Sequence, residues 1–503
     1  MISNGIRFSI SDLTPPRTRQ LRCVYRERAA ISLFDSLMDD PLAKDAPGTQ
    51  VFSPDTIDKV SRTVSRFRNT AVAYGVPLSQ FSIFATEAMR RAANAHDMLG
   101  AIRDAAPGLT VHILAPEVEA LFGCMGARSS FVGVRGLFLD LGGGSVQVTY
   151  VDTDHDAYEH NAAHTGRSMP FGAARLNRDL NHQDPKVKAS TRSDLETEMR
   201  DKVDDLRGRF PDLADALADN KDAGKGGVDV YLCGGGFRGY GNILMHGDRV
   251  APYPIPLIGT YRVSGDYFRE TKKMRKVNAD TKGKILGMSK RRRAQFDAIA
   301  TVIEALVKAV PRIASVTFCA GGNREGALMM KLPPAVREED PLPLLGAALP
   351  PPSPEAAGPA VAALRAVVGL VQQSLPPAGA FPLDLFPPGL LAALARRAWE
   401  GMGRDADANA SAALHDAATR DLDHPGLTHR LRAALGLALW ARWGGATAPA
   451  DKVLRDNLRL LVGGPESPAC FLAEYLGAVL AALAMVMPAY PTDPRQVEQR
   501  LER

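Results

Sequence analysis

Little in this sequence points to a disulfide-stapled, membrane-spanning or nucleic-acid-coating protein. Its five cysteines, Cys23, Cys124, Cys233, Cys319 and Cys470, stand far apart, are odd in number and contain no Cys-x-x-Cys pair. They form neither a disulfide framework nor a zinc ligand set, so small buried side chains in a reducing compartment are expected. Charge of one sign is scarce too. The 61 basic and 56 acidic residues leave a net charge of +5. That is too little for a dedicated nucleic-acid binder, though it leaves local basic patches open. The first residues, Met1 to Arg7, have neither a basic n-region nor an apolar h-region. The longest apolar run, Tyr475 to Met487, lies between Glu474 and Pro488. It is shorter than the ~20 residues a spanning helix needs and reads as a buried core helix. What is present is ordinary: 503 residues, 45% hydrophobic and 23% charged. A soluble, cytoplasmic chain of roughly three domains, at about 150 residues each, is the expectation.

The first half alternates strand and helix signals. Ser53 as N-cap, Pro54 at the first helical position and Asp55 at the positive end of the dipole open a helix. Ile57, Val60, Val64, Phe67 and Ala71 form its buried stripe, and Gly75 closes it. Phe81–Phe84 and Val111–Leu114 read as strands, the first leading into Thr86–Arg91 and the second into a helix from Pro116 to Gly123. Gly136–Leu141 and Ser145–Val151 read as a hairpin. Ser193 and Glu196 match a capping box ahead of the stripe Leu195, Met199, Val203, Leu206, Phe210. Val228–Cys233 and Ser315–Cys319 are further strands, each followed by glycines, and the alternation indicates an α/β architecture. Prolines then cluster from Pro333 to Pro354 and mark an extended linker. Beyond it the chain is Ala- and Leu-rich and reads as a separate all-α domain, with helices around 360–373, 390–402, 430–443 and 471–487.

Chemistry is expected where strands end in glycine turns, because such a turn leaves backbone N–H groups close together with no side chain to keep an anion away. A helix starting there adds its dipole. Asp140-Leu141-Gly142-Gly143-Gly144-Ser145 joins a carboxylate, three glycines and a hydroxyl, a pattern that suits phosphate oxygens and a metal ion or its waters. Gly234-Gly235-Gly236 and Gly321-Gly322-Asn323 repeat the theme. Any one of them alone is more often a plain tight turn. None matches the G-x-x-x-x-G-K-[ST] or G-x-G-x-x-G patterns, which disfavours those two nucleotide folds.

These residues resemble those of the exopolyphosphatase and guanosine pentaphosphate phosphatase (Ppx/GppA) family, over Ser3 to about Leu328. Ser3-Asn4 with Arg7 is similar to the first phosphate motif. Thr86 and Arg90, with Asn94, resemble the Thr-x-x-x-Arg segment, and Pro116-Glu117-Val118-Glu119-Ala120 resembles the paired-glutamate motif. Leu139–Ser145 resembles the second phosphate motif, and Gly321–Gly326 a late signature. Ser3–Ser36 and Pro425–Arg430 are closer to the fungal retrograde regulation branch, tied to mitochondria-to-nucleus signalling. The resemblance implies two actin-like (ribonuclease H-like) α/β lobes with an interlobe phosphate cleft. It places lobe I at 1–128 and lobe II at 129–332, which with the change of composition leaves the linker at 333–358 and the helical domain at 359–503. It implies Glu119 as general base, and Asp140 holding Mg²⁺ directly or through water. It implies phosphate contacts from Ser3, Asn4, Thr86, Arg90, Gly142, Gly143, Gly144 and Ser145; the glycine turns after the later strands add nucleotide contacts expected from Gly234, Gly235, Gly236, Gly321 and Gly322. Polyphosphate or a nucleotide is the implied ligand, as substrate of a terminal phosphoanhydride hydrolase or as signal for a non-catalytic scaffold. A regulatory protein partner through the helical domain and a homodimer are left open; a membrane or nucleic-acid partner is not expected.

Three departures bear on hydrolysis. Only Met1-Ile2 precede Ser3, where the family has a strand ending in an aspartate and a glycine, so a start set too late is expected. Gln147 stands where the family usually has glutamate, and Val118 where many members have a second glutamate. Elsewhere, Lys272–Lys276 and Lys290–Arg293 are basic runs that suit a polyphosphate or nucleotide channel, a nuclear localisation signal or a solvated helix face. Aromatic interleaving there is sparse, which argues against single-stranded nucleic acid. His415-Asp416 lacks the further histidines a metal phosphohydrolase needs, and Trp399, Trp440 and Trp443 fit core or partner-groove positions.

Overall fold

The structure, a computed structural model, describes residues 5–39, 49–218, 226–346, 354–375 and 381–501. The chain divides into two compact units, one of Met1–Ser129, Gly133–Leu244 and Arg262–Arg337, the other of Ser130–Val132, Met245–Tyr261 and Glu338–Arg503. Ser3 and Asn4, and Pro350 to Ser353 of the expected linker, lie outside the described residues. Within that linker Pro334–Arg337 and Pro343–Gly346 are helical, and Arg337 and Leu345 are buried.

The first unit is mixed α/β. Its six-stranded sheet runs Tyr261–Ser264, Ile313–Phe318, Val228–Cys233, Arg135–Leu141, Val146–Asp152, Arg167–Met169. Val228–Cys233 is parallel to both of its neighbours, and Arg135–Leu141 turns back antiparallel into Val146–Asp152. Leu232 lies opposite both Leu139 and Phe318. The three glycine turns therefore leave the sheet at one level, at the carboxyl ends where α/β sheets form their ligand crevices. Leu137, Leu139, Val148, Val230 and Val316 are fully buried, as strands covered on both faces require.

A second core gathers Ile6, Phe8, Val60, Val64, Phe67 and Met89. It forms under the helix Pro54–Ala73, where the Ser53 side chain accepts from the Thr56 N–H and Gly75 turns the chain at φ +72°. Two helices differ from the sequence pattern. The helix from Pro116 does not stop at Gly123 but runs to Arg128. The capping box at Ser193 is not a start, because the helix begins at Pro185 behind an Asp184 cap and runs to Arg209. The stripe Leu195, Met199, Val203 and Leu206 is buried nonetheless.

The second unit is mostly helical, with Pro354–Gln373, Pro388–Arg397, Ala406–Thr419, His429–Arg442, Lys452–Leu461, Pro468–Val486 and Pro494–Leu501. The helices expected from the sequence do not include Ala406–Thr419, which is Ala-rich with little amphipathic contrast, or Lys452–Leu461, although Leu454, Leu458 and Leu461 recur there at helical spacing and pack on the core. Among the described residues Pro468–Val486 alone is long and apolar enough to cross a membrane. It turns Leu472, Leu476 and Leu480 into the helical core. Gly477 lets it approach His429–Arg442 so closely that a Cβ there would sit 2.2 Å from the Ala438 carbonyl oxygen. Trp399 and Trp440 are core residues whose indole N–H groups donate to the carbonyls of Met487 and Ala446. His415 pairs with Asp451.

Candidate phosphate site

The hairpin turn is built around its own backbone. The Gly142 N–H donates to the Ser145 carbonyl at 3.0 Å, so of the turn's amides this one is not offered to a ligand. The first N–H groups of the helix Ala173–Leu180 donate to the turn's carbonyls, Ala173 to Gly142 at 3.0 Å and Ala174 to Gly143 at 2.9 Å. In a trans peptide the N–H points opposite its C=O, so the N–H groups of Gly143 and Gly144 are directed away from that helix. A Cβ on Gly172 would lie 2.3 Å from the Ser145 nitrogen, and one on Gly144 would lie 2.9 Å from the Phe34 ring. Both positions therefore need glycine. Gln147, fully inside the hairpin, donates from Nε2 to the Ser145 Oγ at 2.7 Å and to the Ser168 Oγ at 3.2 Å.

The other two turns serve differently. Gly234 opens the helix Gly234–His246 at φ +84°, and a Cβ there would sit 2.1 Å from an Asp140 carboxylate oxygen. Gly235 faces Arg292, and Gly236 packs on Leu141. The helix thus starts against the Asp140 carboxylate, with its N–H end at the crevice. Gly321 is a packing residue, since a Cβ on it would meet the Gly126 carbonyl oxygen at 1.9 Å. The Gly322 N–H donates to the Glu325 carboxylate at 3.0 Å, which caps the helix Asn323–Lys331 from within.

Two carboxylates and a guanidinium form a half-buried triad. Arg90 Nη2 lies 3.0 Å from Glu87 and 2.8 Å from Glu119, while its Nη1 donates to the Leu114 carbonyl at 2.6 Å. Arg90 is thus held by protein groups on each side. Burial raises the Glu119 pKa, Arg90 opposes that, and Asp140 and Glu87 add to it. Val118 is exposed beside it. Thr86 precedes the short helix Glu87–Arg91 as its N-cap. Asn94 has a structural task, bridging the Phe52 N–H and carbonyl at 2.8 and 2.9 Å.

Around Asp140 the balance is cationic. Burial raises its pKa against the pull of Arg238 and Arg7, and the Cys233 thiol bonds to it. Arg7 is pushed down to about 9, first by burial and then by Arg238, Arg324, Arg28 and Arg292. Arg292 is pushed down to about 10 by burial and then by Arg238 and Arg28. Arg238 is held by backbone carbonyls, Ala320 at 2.7 Å, and Arg292 by the Gly287 carbonyl at 2.9 Å. Such bonds satisfy the N–H groups without cancelling charge. The signal for Arg238 in the sequence was its place one turn into the helix that the glycine triplet opens; for Arg292 there was only a basic run. The rest of that run is structural: Arg291 pairs with Asp35, and Arg293 binds the carbonyls of Asn278, Thr281 and Gly283. Arg275 pairs with Asp297 and Glu304.

Next to Ser145 lies a cavity of about 460 Å³ whose lining includes Glu87, Glu117, Arg167, Ser168 and Lys202. A potential divalent-cation group also exists, Asp152, His155 and Asp212, with ligand atoms within 4.8 Å of one another. Asp152 pairs with Arg135 and Asp140 with Gln147 along the hairpin. Five residues at ~3.3 Å each separate the two ends by about 17 Å. Arg135 also stands 2.7 Å from Asp152, which competes with a cation there.

The profile of the Ppx/GppA phosphatase family matches residues 17–335, and that of the RTG2 C-terminal domain matches residues 343–502. Retrograde regulation protein 2 of Saccharomyces cerevisiae is 30% identical over 499 residues, 97% of this chain and 80% of that protein. Exopolyphosphatase 1 of Mycobacterium leprae is 27% identical over 282 residues, 55% of this chain and 74% of that one. A solved exopolyphosphatase of Cytophaga hutchinsonii is 19% identical, covers 65% of this chain and 94% of its own, and superposes with a TM-score of 0.46.

Proposed function

The chain belongs to the Ppx/GppA phosphatase family and carries the C-terminal domain of its retrograde-regulator members, and from that premise we propose that it is a phosphate- and nucleotide-sensing signalling protein that binds a phosphoanhydride without turning it over. One observation carries this reading. Arg7 and Arg238 both act on one carboxylate, Asp140, Arg292 adds its charge beside Arg238, and Arg238 and Arg292 are anchored by carbonyls that leave their charge uncancelled. An anion with several charges relieves that repulsion, and a phosphate chain matches guanidinium forks.

In this reading Ser145, the N–H groups of Gly143 and Gly144 and the start of the Gly234 helix cradle the phosphates. Ser3, Asn4 and Thr86 are further phosphate contacts in this reading, with lobes at 1–128 and 129–332 arranged as in actin. Mg²⁺ fits the donor set: the Asp140 carboxylate is a hard oxygen ligand, and the buried Asn323 Oδ1 has no hydrogen-bond partner. When bound, the ion would neutralise phosphate charge. Glu119 is the residue a hydrolase would use to orient water. Its carboxylate is instead engaged by Arg90, which Glu87 also holds. The one observation favouring turnover is that burial raises the Glu119 pKa, as a general base needs. Cytoplasmic retrograde signalling, with a protein partner gripped by the helical domain, follows as the biological role.

Calorimetry with ATP, guanosine pentaphosphate and polyphosphate, with and without Mg²⁺, run beside a phosphate-release assay, tests this. Binding without release is expected, weakened about tenfold or more by Arg238→Ala, since a charge-assisted contact is worth ~1.5–3 kcal/mol. Phosphate release that Glu119→Gln abolishes would establish the hydrolase instead.

A further inference from the structure

The late glycine signature carries a residue with no task in the fold. Asn323 is the first residue of the helix Asn323–Lys331, and its Oδ1 is a buried acceptor without a hydrogen-bond partner. A buried amide oxygen left unpaired is costly, so its position calls for a partner. The neighbouring residues bear on what that partner is. A Cβ on Gly123 would lie 3.4 Å from Asn323 Oδ1 and 3.5 Å from Asp140 Oδ2. Both oxygens therefore border the small space that the absent Cβ of Gly123 leaves. Gly123 sits in mid-helix, where it is the poorer helix former, and neither a turn nor a positive φ demands it.

We infer that Asn323 and Asp140 are joint oxygen ligands of a divalent cation of the Mg²⁺ or Mn²⁺ class, with Gly123 providing the room for it. The inference rests on the phosphate-binding reading above and adds a ligand to it. A single carboxylate with one neutral oxygen is a weak hard-ion site that leaves the remaining positions to water and phosphate. That makes the cation a companion of the phosphate ligand, and a nucleoside triphosphate or polyphosphate arriving with its metal would be preferred over the bare anion.

Mn²⁺ binding to the full chain, followed by electron paramagnetic resonance in the Asp212→Asn background, reads the site without the distal Asp152–His155–Asp212 group. Asn323→Leu should weaken Mn²⁺ binding about tenfold, and Asn323→Asp should tighten it by a similar factor, each worth ~1.4 kcal/mol. If the Asn323 amide nitrogen instead faces Asp140, Asn323→Asp sets two carboxylates together and Asn323→Leu changes little. An unchanged affinity in both variants, or weaker binding in Asn323→Asp, overturns the inference. Metal-free triphosphate binding by the parent chain separates the two failures. Where it persists while Asn323 proves indifferent, only the ligand assignment falls. Where it is absent, the phosphate reading falls with it.

Discussion

At the scale of single residues, the hydrogen-bond sense at Ser145 decides what the glycine turn can do. Gln147 donates to the Ser145 oxygen at 2.7 Å, which leaves the serine proton available to an anionic ligand. A glutamate at 147 would reverse this. Its carboxylate would accept the serine proton and set a negative charge beside the phosphates. Gln147→Glu is therefore expected to lower triphosphate affinity about tenfold at pH 8, ~1.4 kcal/mol. The loss should recover toward pH 5, because a protonated glutamate can donate to Ser145 as the amide does. Calorimetry across that range checks it; a loss independent of pH would show that Ser145 is not the donor. Phosphate release gained by the variant would show instead that position 147 separates sensor from enzyme. The sequence showed Gln147 as a departure from the family, but only the structure shows which atom its amide addresses.

At the scale of elements, the site depends on how closely two helices cross. Pro116–Arg128 and Asn323–Lys331 meet through glycines: a Cβ on Gly126 would lie 2.0 Å from the Gly322 oxygen, and one on Gly326 1.8 Å from the Phe122 oxygen. Helix propensity alone would make Gly126→Ala favourable by about 1 kcal/mol. The clash is with backbone, which cannot rotate aside, so overpacking should win. A net loss of about 3 kcal/mol is expected, at the upper end of the usual range. Calorimetric unfolding of Gly126→Ala measures this, and an unchanged or raised midpoint would contradict the close crossing. This contact also explains where sequence reading failed. Gly123 reads as a helix stop because glycine often closes helices, yet the helix runs on to Arg128, and Gly126 beyond it serves an approach to Gly322 some 200 residues away. The turns themselves, and the stripe under Pro54–Ala73, were legible because caps and periodicity are local. Arg238 and Arg292 were not assigned to the site, because the nearness of Arg238 to Asp140, and of Arg292 to Arg238, is set by the fold rather than by spacing.

At the scale of the whole molecule, the helical unit is not a simple C-terminal block, since Ser130–Val132 and Met245–Tyr261 belong to it. Tyr253 meets His429 there, its hydroxyl 2.8 Å from Nδ1, and the Asn457 amide donates to the Pro252 carbonyl at 2.8 Å. His429 is fully buried, and burial, then Arg432, pushes its pKa from 6.5 down to about 3, against the backbone of Gly259 and Leu257. The sign follows from which state binds the proton. The folded unit keeps His429 neutral down to about pH 3, whereas the unfolded chain protonates it below about 6.5. Stability is therefore unaffected by His429 above pH 6.5 and declines as pH falls from there toward 3, by at most ~1.4 kcal/mol per pH unit. All three tryptophans, Trp399, Trp440 and Trp443, lie in this unit, so their fluorescence reports its unfolding alone. His429→Phe keeps an aromatic ring but loses the bond to Tyr253, at a cost of about 1 kcal/mol near neutral pH. In denaturant titrations from pH 7 to 4 its stability should fall less steeply than that of the parent chain, so that the two curves converge or cross. Parallel curves would assign the acid sensitivity to the carboxylates of the unit and deprive His429 of that role.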